Sequence, residues 1–202
     1  MGTTLENVSR ETQERLEQYL ALLNKWNPRI NLVAKTTVDD AWTRHFEDSA
    51  QLLDLVPQPK GKWLDMGSGG GFPGLVVAIL LQDSGAEADL HLMESDQRKS
   101  AFLRTVSREL GLKTTVKTQR IESAQPEAAQ IISARALADL STLLGFAKRH
   151  GTDQSIALFP KGRRWQEELS QAQEKWRFKH EARRSNTDPE AVILRIEEIE
   201  HV

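Results

Sequence analysis

The chain has 202 residues, with 27 Lys and Arg against 29 Asp and Glu for a net charge of −2, and it contains no cysteine. The length allows one domain with a substantial core, and the charge excludes a generic polyanion binder. Disulfides and thiolate metal centres are excluded, and the longest apolar run, Leu75 to Leu81, is far too short to cross a bilayer.

Thr4 to Asn24 reads as an amphipathic helix, with Leu5, Val8, Leu16, Tyr19, Leu20 and Leu23 at three- and four-residue steps. The stretch Asn24 to Asn31 holds Pro28 and two more asparagines, and is expected to leave the helix. A second helix is predicted from Val38 to Leu55, then a Pro- and Gly-containing linker to Gly61. Residues 1–60 are therefore expected to form a helical cap on a core of residues 61–202. From Lys62 strands and helices alternate. Strands are predicted at Lys62 to Met66, Asp89 to Glu94, Thr114 to Lys117, Gln130 to Ser133 and Ser155 to Pro160. Helices are predicted at Pro73 to Gln82, Asp96 to Leu110, about Leu137 to Arg149, and Arg164 to Lys175. Trp176 to Arg184 and Ala191 to Ile199 read as a closing hairpin. This alternation predicts an α/β, doubly wound, mostly parallel sheet with an antiparallel C-terminal edge. The polar N-terminus has no signal-peptide core, which together with the lack of cysteine fits a cytoplasmic location.

The first strand ends in Asp65-Met66-Gly67-Ser68-Gly69-Gly70-Gly71-Phe72-Pro73-Gly74. Strand, glycine loop and helix in that order make a ligand loop, because glycines let backbone approach closely and a helix N-terminus favours anionic groups. Gly69 to Gly74 fits the dinucleotide pattern G-x-G-x-x-G, a weak match in a run this rich in glycine. Asp65 argues against a pyrophosphate, which its carboxylate would repel. It suits an ammonium instead, and S-adenosylmethionine offers one, with a sulfonium and a ribose diol and no phosphate. Glu94 ends the second strand, placed to accept both hydroxyls of a ribose. Arg135 follows the fourth strand, where an arginine can bind a phosphate, stack on a base or hold a carboxylate. The loop Gln119 to Ser123 follows the third strand, beside the expected position of an adenine. The Lys148 to Arg184 region is rich in Lys and Arg and offers a local basic face to RNA.

The chain resembles the glucose-inhibited division protein B family, also called RsmG, which methylates guanine N7 in 16S ribosomal RNA. The resemblance rests on Lys25-Trp26-Asn27…Asn31-Leu32, Arg44-His45…Asp48-Ser49, the segment Leu64 to Gly74, Glu94-Ser95…Arg98-Lys99…Phe102-Leu103, Ile132 to Ala136, and Lys161-Gly162. It implies a Rossmann-like class I methyltransferase with no metal, acting on 16S rRNA or the small ribosomal subunit, in the 530 loop near the decoding site. It implies cofactor contacts at Gly67, Phe72, Ile121, Glu122 and Arg135, with Glu94 near the ribose; Asp65 and Gly69 join them from the loop pattern. Candidate RNA contacts are Lys25, Arg29, Lys35, Lys148, Arg149, Lys161, Arg163 and Arg164. His45 reads more readily as a packing residue than as a catalyst. Guanine N7 carries a free lone pair, so no acid-base pair is needed and none is assigned; Asp65 and Arg135 are positioning candidates. Methylation of another RNA, a protein or a small molecule, nicotinamide chemistry, and a non-catalytic RNA-binding module that kept the fold are the competing readings.

Overall fold

The computed structural model describes residues 5–82 and 84–202; Thr4, where the first helix is expected to begin, lies outside them. Leu5–Asn7 form a 3-10 turn. Helix α1, Arg10–Ile30, starts where the Ser9 side chain accepts the Thr12 N–H. It does not leave helical geometry after Asn24 but runs through Pro28. Two features outweigh the local breaker. Leu16, Tyr19 and Leu23 are fully buried along the helix, so tertiary packing holds it. Pro28 also falls in the last turn, where the missing N–H disrupts little that follows. The asparagines then end the helix: Asn31 turns left-handed with φ 50°, its N–H reaches the Asn27 carbonyl, and Asn27 Oδ1 accepts the Val33 N–H at 2.9 Å.

The second helical stretch starts at Trp42, not Val38. Lys35–Thr37 form a separate 3-10 turn. Trp42–Glu47 are π-helical, Asp48–Ala50 make one α-turn, and Gln51–Leu55 are 3-10. We call residues 42–55 α2.

Seven strands follow: β1 Lys60–Met66, β2 Glu87–Glu94, β3 Thr114–Thr118, β4 Ala129–Ser133, β5 Gly151–Lys161, β6 Trp176–Arg184 and β7 Val192–His201. The helices among them are α3 Gly74–Gln82, α4 Gln97–Glu109, α5 Leu140–His150 and α6 Trp165–Gln173. They lie close to the predicted elements. Pro73 precedes α3 instead of opening it, and its bond to Phe72 is cis. Helix α5 begins at Leu140 rather than Leu137 because the Asp139 side chain accepts the Thr142 N–H. The strands form one sheet in the order β3-β2-β1-β4-β5-β7-β6. The first five are parallel, and β7 is antiparallel to both β5 and β6. This is the predicted doubly wound sheet with an antiparallel edge.

Side chains alternate across β1, so each face of the sheet has its own core. Trp63 lies with Leu75, Phe102 and Leu158, and α1 and α2 add Leu16, Tyr19, Leu23 and Phe46 to the same cluster. Leu64 and Met66 face the other way, onto Leu143 and Leu144 of α5 and Ala172 of α6. The chain runs β1, β2, β3 toward one edge and then returns to β4 beside β1. The carboxyl ends of β1 and β4 therefore flank the crevice where open α/β sheets take ligands.

Candidate active site

The loop leaving β1 folds over the end of β2. The Gly67 and Ser68 N–H groups donate to the Met93 carbonyl at 2.8 and 3.1 Å. Gly67 has φ 66°, and a Cβ there would meet Leu137 Cδ1 at 2.6 Å. Gly71 has φ 93°, and a Cβ would run into Leu75 and the Tyr19 hydroxyl. Both positions favour glycine for their left-handed conformation, and Gly71 also for space. Tyr19, fully buried on α1, donates its hydroxyl to the Gly70 carbonyl and stacks on Phe72 at 5.3 Å between ring centroids. Burial raises the phenol's pKa well above its usual value, so it remains a donor.

Across the loop stands Glu94. Its Oε2 accepts the Gly69 N–H and its Oε1 the Asp96 N–H, both at 2.8 Å. The carboxylate is thus fixed at the cleft wall by two backbone groups. Asp65 takes a different place from the one its sequence position suggests. It does not line the cleft but lies beneath the loop, with no exposed surface. Its Oδ1 accepts the Ser133 hydroxyl at 2.7 Å, and Ser133 in turn accepts Trp63 Nε1–H at 3.0 Å. Its Oδ2 makes no hydrogen bond. A Cβ on Gly74, at the head of α3, would sit 2.7 Å from that oxygen. Burial raises the Asp65 pKa to about 6, against the Ser133 hydrogen bond that lowers it.

Arg135 closes the other side. Its Nη1 donates to the Arg44 carbonyl at 3.0 Å and lies 3.4 Å from Asp48 Oδ2. Its Nη2 lies 2.9 Å from His45 Nδ1, and its Cζ stands 5.2 Å from the Phe72 ring centroid. Burial lowers the guanidinium pKa, with Asp48 opposing. Burial and then the facing Arg135 charge lower the His45 pKa to about 4, so the ring is neutral at pH 7.

Together these walls enclose a cleft of about 1110 Å³ lined by Gly67, Gly69, Phe72, Glu94, Ile121, Glu122 and Arg135 among others. Seven of the eight expected cofactor residues are therefore brought to one cavity, and Asp65 sits directly under it. Ile121 is fixed by His150 of α5, whose Nε2 lies 2.9 Å from the Ile121 carbonyl. Sequence reasoning does not single out Tyr19, His150 or Thr37 as site residues, whereas it does name Asp48, in the Arg44 to Asp48 cluster, as a partner for a basic group near the cofactor mouth. Tyr19 carries one signal, as the sole tyrosine of the chain on the apolar face of α1.

The expected RNA contacts separate. Arg164 and Lys161 line the cleft, while Lys25, Arg29, Lys35 and Arg163 are exposed. Lys161 is different: it is 9% exposed, and its ammonium donates to the Ala138 carbonyl at 2.9 Å and to Glu168 Oε2 at 2.7 Å. Lys148 and Arg149 end α5, which runs back to the start of β5, so they lie at the end of the sheet opposite the cleft. There Lys148 meets Asp153 at 3.2 Å and Arg149 the Ala124 carbonyl at 2.8 Å.

Residues 12–191 match a family described as rRNA small subunit methyltransferase G. The ribosomal RNA small subunit methyltransferase G of Ruegeria sp. (strain TM1040) is 52% identical over 196 residues, 97% of this chain and 95% of that protein. Its counterpart in Rhodospirillum centenum (strain ATCC 51521 / SW) is 53% identical over 192 residues, 95% of this chain and 87% of that one. Among solved structures, a putative S-adenosyl-L-methionine-dependent methyltransferase from Methanococcus maripaludis superposes with TM-score 0.60 at 10% identity, over 97% of each chain. A ribosomal protein L11 methylase from Lactobacillus delbrueckii subsp. bulgaricus gives 0.58 at 12% identity, over 72% of this chain and 74% of that one. The fold is thus the Rossmann-like methyltransferase fold.

Proposed function

The chain belongs to the rRNA small subunit methyltransferase G family, and we propose that it transfers a methyl group from S-adenosylmethionine to N7 of a guanine in 16S ribosomal RNA. One observation carries the cofactor half of this reading. At the switch point of the sheet, a glycine loop, a backbone-held carboxylate and a half-buried guanidinium face one cleft. The residues fit the cofactor's groups. Glu94 offers carboxylate oxygens to a ribose diol. Ile121 offers apolar surface beside an adenine. Arg135 offers a guanidinium to the methionine carboxylate. Asp65, with its unpaired Oδ2 under the loop, favours a cation above it. No phosphate-neutralising group is needed, and the buried acid makes a pyrophosphate costly there.

The bound cofactor supplies a methyl group made electrophilic by its sulfonium. The chain's own work is then positioning. Holding two reactants in line replaces a bimolecular encounter, and that alone can supply about 7–11 kcal/mol of barrier lowering. N7 needs no deprotonation, which agrees with a cleft whose lining histidine, His45, is neutral and pinned on both ring nitrogens. As the methyl moves, positive charge develops on the purine, and the carboxylates around the cleft favour it electrostatically. On this reading residues 1–60 act as a helical cap that shapes the cleft, and the target guanine leaves its stack to enter.

The test is transfer of tritium from methyl-labelled S-adenosylmethionine to small-subunit RNA, with mapping of N7-methylguanine. Label at a guanine N7 in the loop named by the resemblance is the expected result. Label confined to another RNA, a protein or a small molecule would overturn the substrate while leaving the cofactor reading intact.

A further inference from the structure

The segment Arg44-His45…Asp48-Ser49 is the part of the sequence that the cofactor contacts leave unused. In the structure it meets Arg135. The π-helical turn puts the Arg44 carbonyl, the His45 ring and the Asp48 carboxylate around one guanidinium. Ser49 fastens that turn from within by donating its hydroxyl to the His45 carbonyl.

The hydrogen-bond directions are fixed. A guanidinium only donates, so His45 Nδ1 must accept from Arg135 Nη2. The ring proton then belongs on Nε2, which donates to Thr37 Oγ1 at 2.8 Å. The Thr37 hydroxyl is left to donate to the Ala34 carbonyl at 2.9 Å. Ala34 and Thr37 line the same cleft as Arg135. Asp48 does the equivalent on the other side. Its Oδ2 faces Arg135, and its Oδ1 accepts the Thr187 hydroxyl at 3.1 Å, at the tip of the β6–β7 hairpin, also on the cleft. Three separate walls of the cavity are therefore joined through one arginine.

We propose that His45 and Asp48 are positioning residues for Arg135, holding its guanidinium over Phe72 so that it meets the cofactor already oriented. An arginine free to sample its rotamers would lose that entropy on binding; one held in place has lost it on folding. The proposal rests on the reading that Arg135 contacts the cofactor, and the test separates the two.

The experiment measures S-adenosylmethionine affinity by equilibrium dialysis, with thermal unfolding in parallel. In His45→Asn the side-chain oxygen falls near the Nδ1 position and can still accept from Arg135. In His45→Gln the acceptor falls near Nε2, and Arg135 loses it. We expect His45→Gln to weaken binding about tenfold and His45→Asn only about threefold, because the shorter side chain keeps the acceptor for Arg135 and gives up only the bond to Thr37. In an Arg135→Ala background, His45→Gln should add nothing, because its effect runs through the missing arginine. Thr37→Val, on a half-exposed turn, frees the far side of the ring and should weaken binding about threefold even where His45→Gln fails to fold. Equal affinity for His45→Gln and wild type, or a loss that persists undiminished without Arg135, overturns the proposal while the cofactor reading stands. If Arg135→Ala binds as wild type does, the cofactor contact itself falls and the positioning role with it.

Discussion

Tyr19 shows how much one hydroxyl can carry. It comes from α1, far from the glycine loop in sequence, yet it is the donor to the Gly70 carbonyl. Tyr19→Phe keeps the ring on Phe72 and removes only the bond, leaving a buried carbonyl unpaired. The expected cost is about 1–3 kcal/mol in urea unfolding, with a several-fold loss of S-adenosylmethionine affinity as the loop loosens. Unchanged stability and affinity would show that the loop holds itself. Gly74 is the steric counterpart. A methyl there meets Leu92 and Asp65 Oδ2, so Gly74→Ala should cost about 1–3 kcal/mol by overpacking, read from the same unfolding curve. Neither role was legible in the sequence. Tyr19 reads simply as one apolar position in a helical stripe, and Gly74 as one more glycine in a run. Which glycine faces which wall is decided by residues that arrive from other parts of the chain.

At the scale of elements, the strands were legible because buried parallel strands are short apolar runs between polar breaks. The helices were less so where tertiary contacts override local preference. Pro28 lies inside α1, and the π-helical start of α2, which brings Arg44, His45 and Asp48 around Arg135, leaves no periodic mark. Composition could flag Lys161 as basic but could not say that its charge was spent. Structurally, Lys161 at the end of β5 and Glu168 in α6 clasp the β4–α5 connection, Lys161 through the Ala138 carbonyl and Glu168 Oε2 by accepting the Leu140 N–H at 2.9 Å. Removing one partner strands the other. Lys161→Met should destabilise by about 2–4 kcal/mol, near the low end for buried pairs because Glu168 keeps some exposure. It should leave the salt dependence of RNA binding unchanged. Arg164→Ala, at the cleft rim with no ion pair among the described residues, should lower the slope of log affinity against log salt by about one at little cost in stability. A reduced slope for Lys161→Met would return that lysine to the phosphate contacts.

For the whole molecule, two buried groups in the same site pull stability in opposite directions with pH. The Asp65 pKa is raised to about 6 in the folded chain. Below the usual carboxylate pKa both states hold the proton. Between there and about pH 6 the unfolded chain releases it and the folded chain does not, so stability falls as pH rises through this window. His45 is depressed to about 4. Its contribution is complete above its usual pKa near 6.5 and is lost as pH falls toward 4, so it adds stability as pH rises through the same interval. At 1.36 kcal/mol per unit the Asp65 term amounts to about 3 kcal/mol, while the His45 term, on a less enclosed ring that solvent partly screens, is smaller, so in the wild-type protein the two partly cancel. Single variants expose them. Asp65→Asn should gain about 2–3 kcal/mol at pH 7 and almost nothing at pH 4, so its stability climbs with pH across the window. His45→Asn should do the reverse and lose stability as pH rises from 4 to 6. Urea midpoints taken at half-unit steps from pH 4 to 7.5 decide this, and parallel curves for the two variants would show that neither group titrates as placed. On the proposed reading, the cofactor's cation gives a reason for keeping this destabilising charge. A cationic ligand group above the loop favours ionised Asp65, so S-adenosylmethionine binding below pH 6 must be accompanied by proton release from it. Affinity for the cofactor should therefore fall about tenfold per pH unit well below 6 in the wild type. A carboxamide in place of this carboxyl has no proton to release, so Asp65→Asn should bind more weakly at pH 7 and show a much flatter profile. Dialysis across pH 4.5 to 7.5 reads both, and a steep profile retained in Asp65→Asn would move the linked proton to another group.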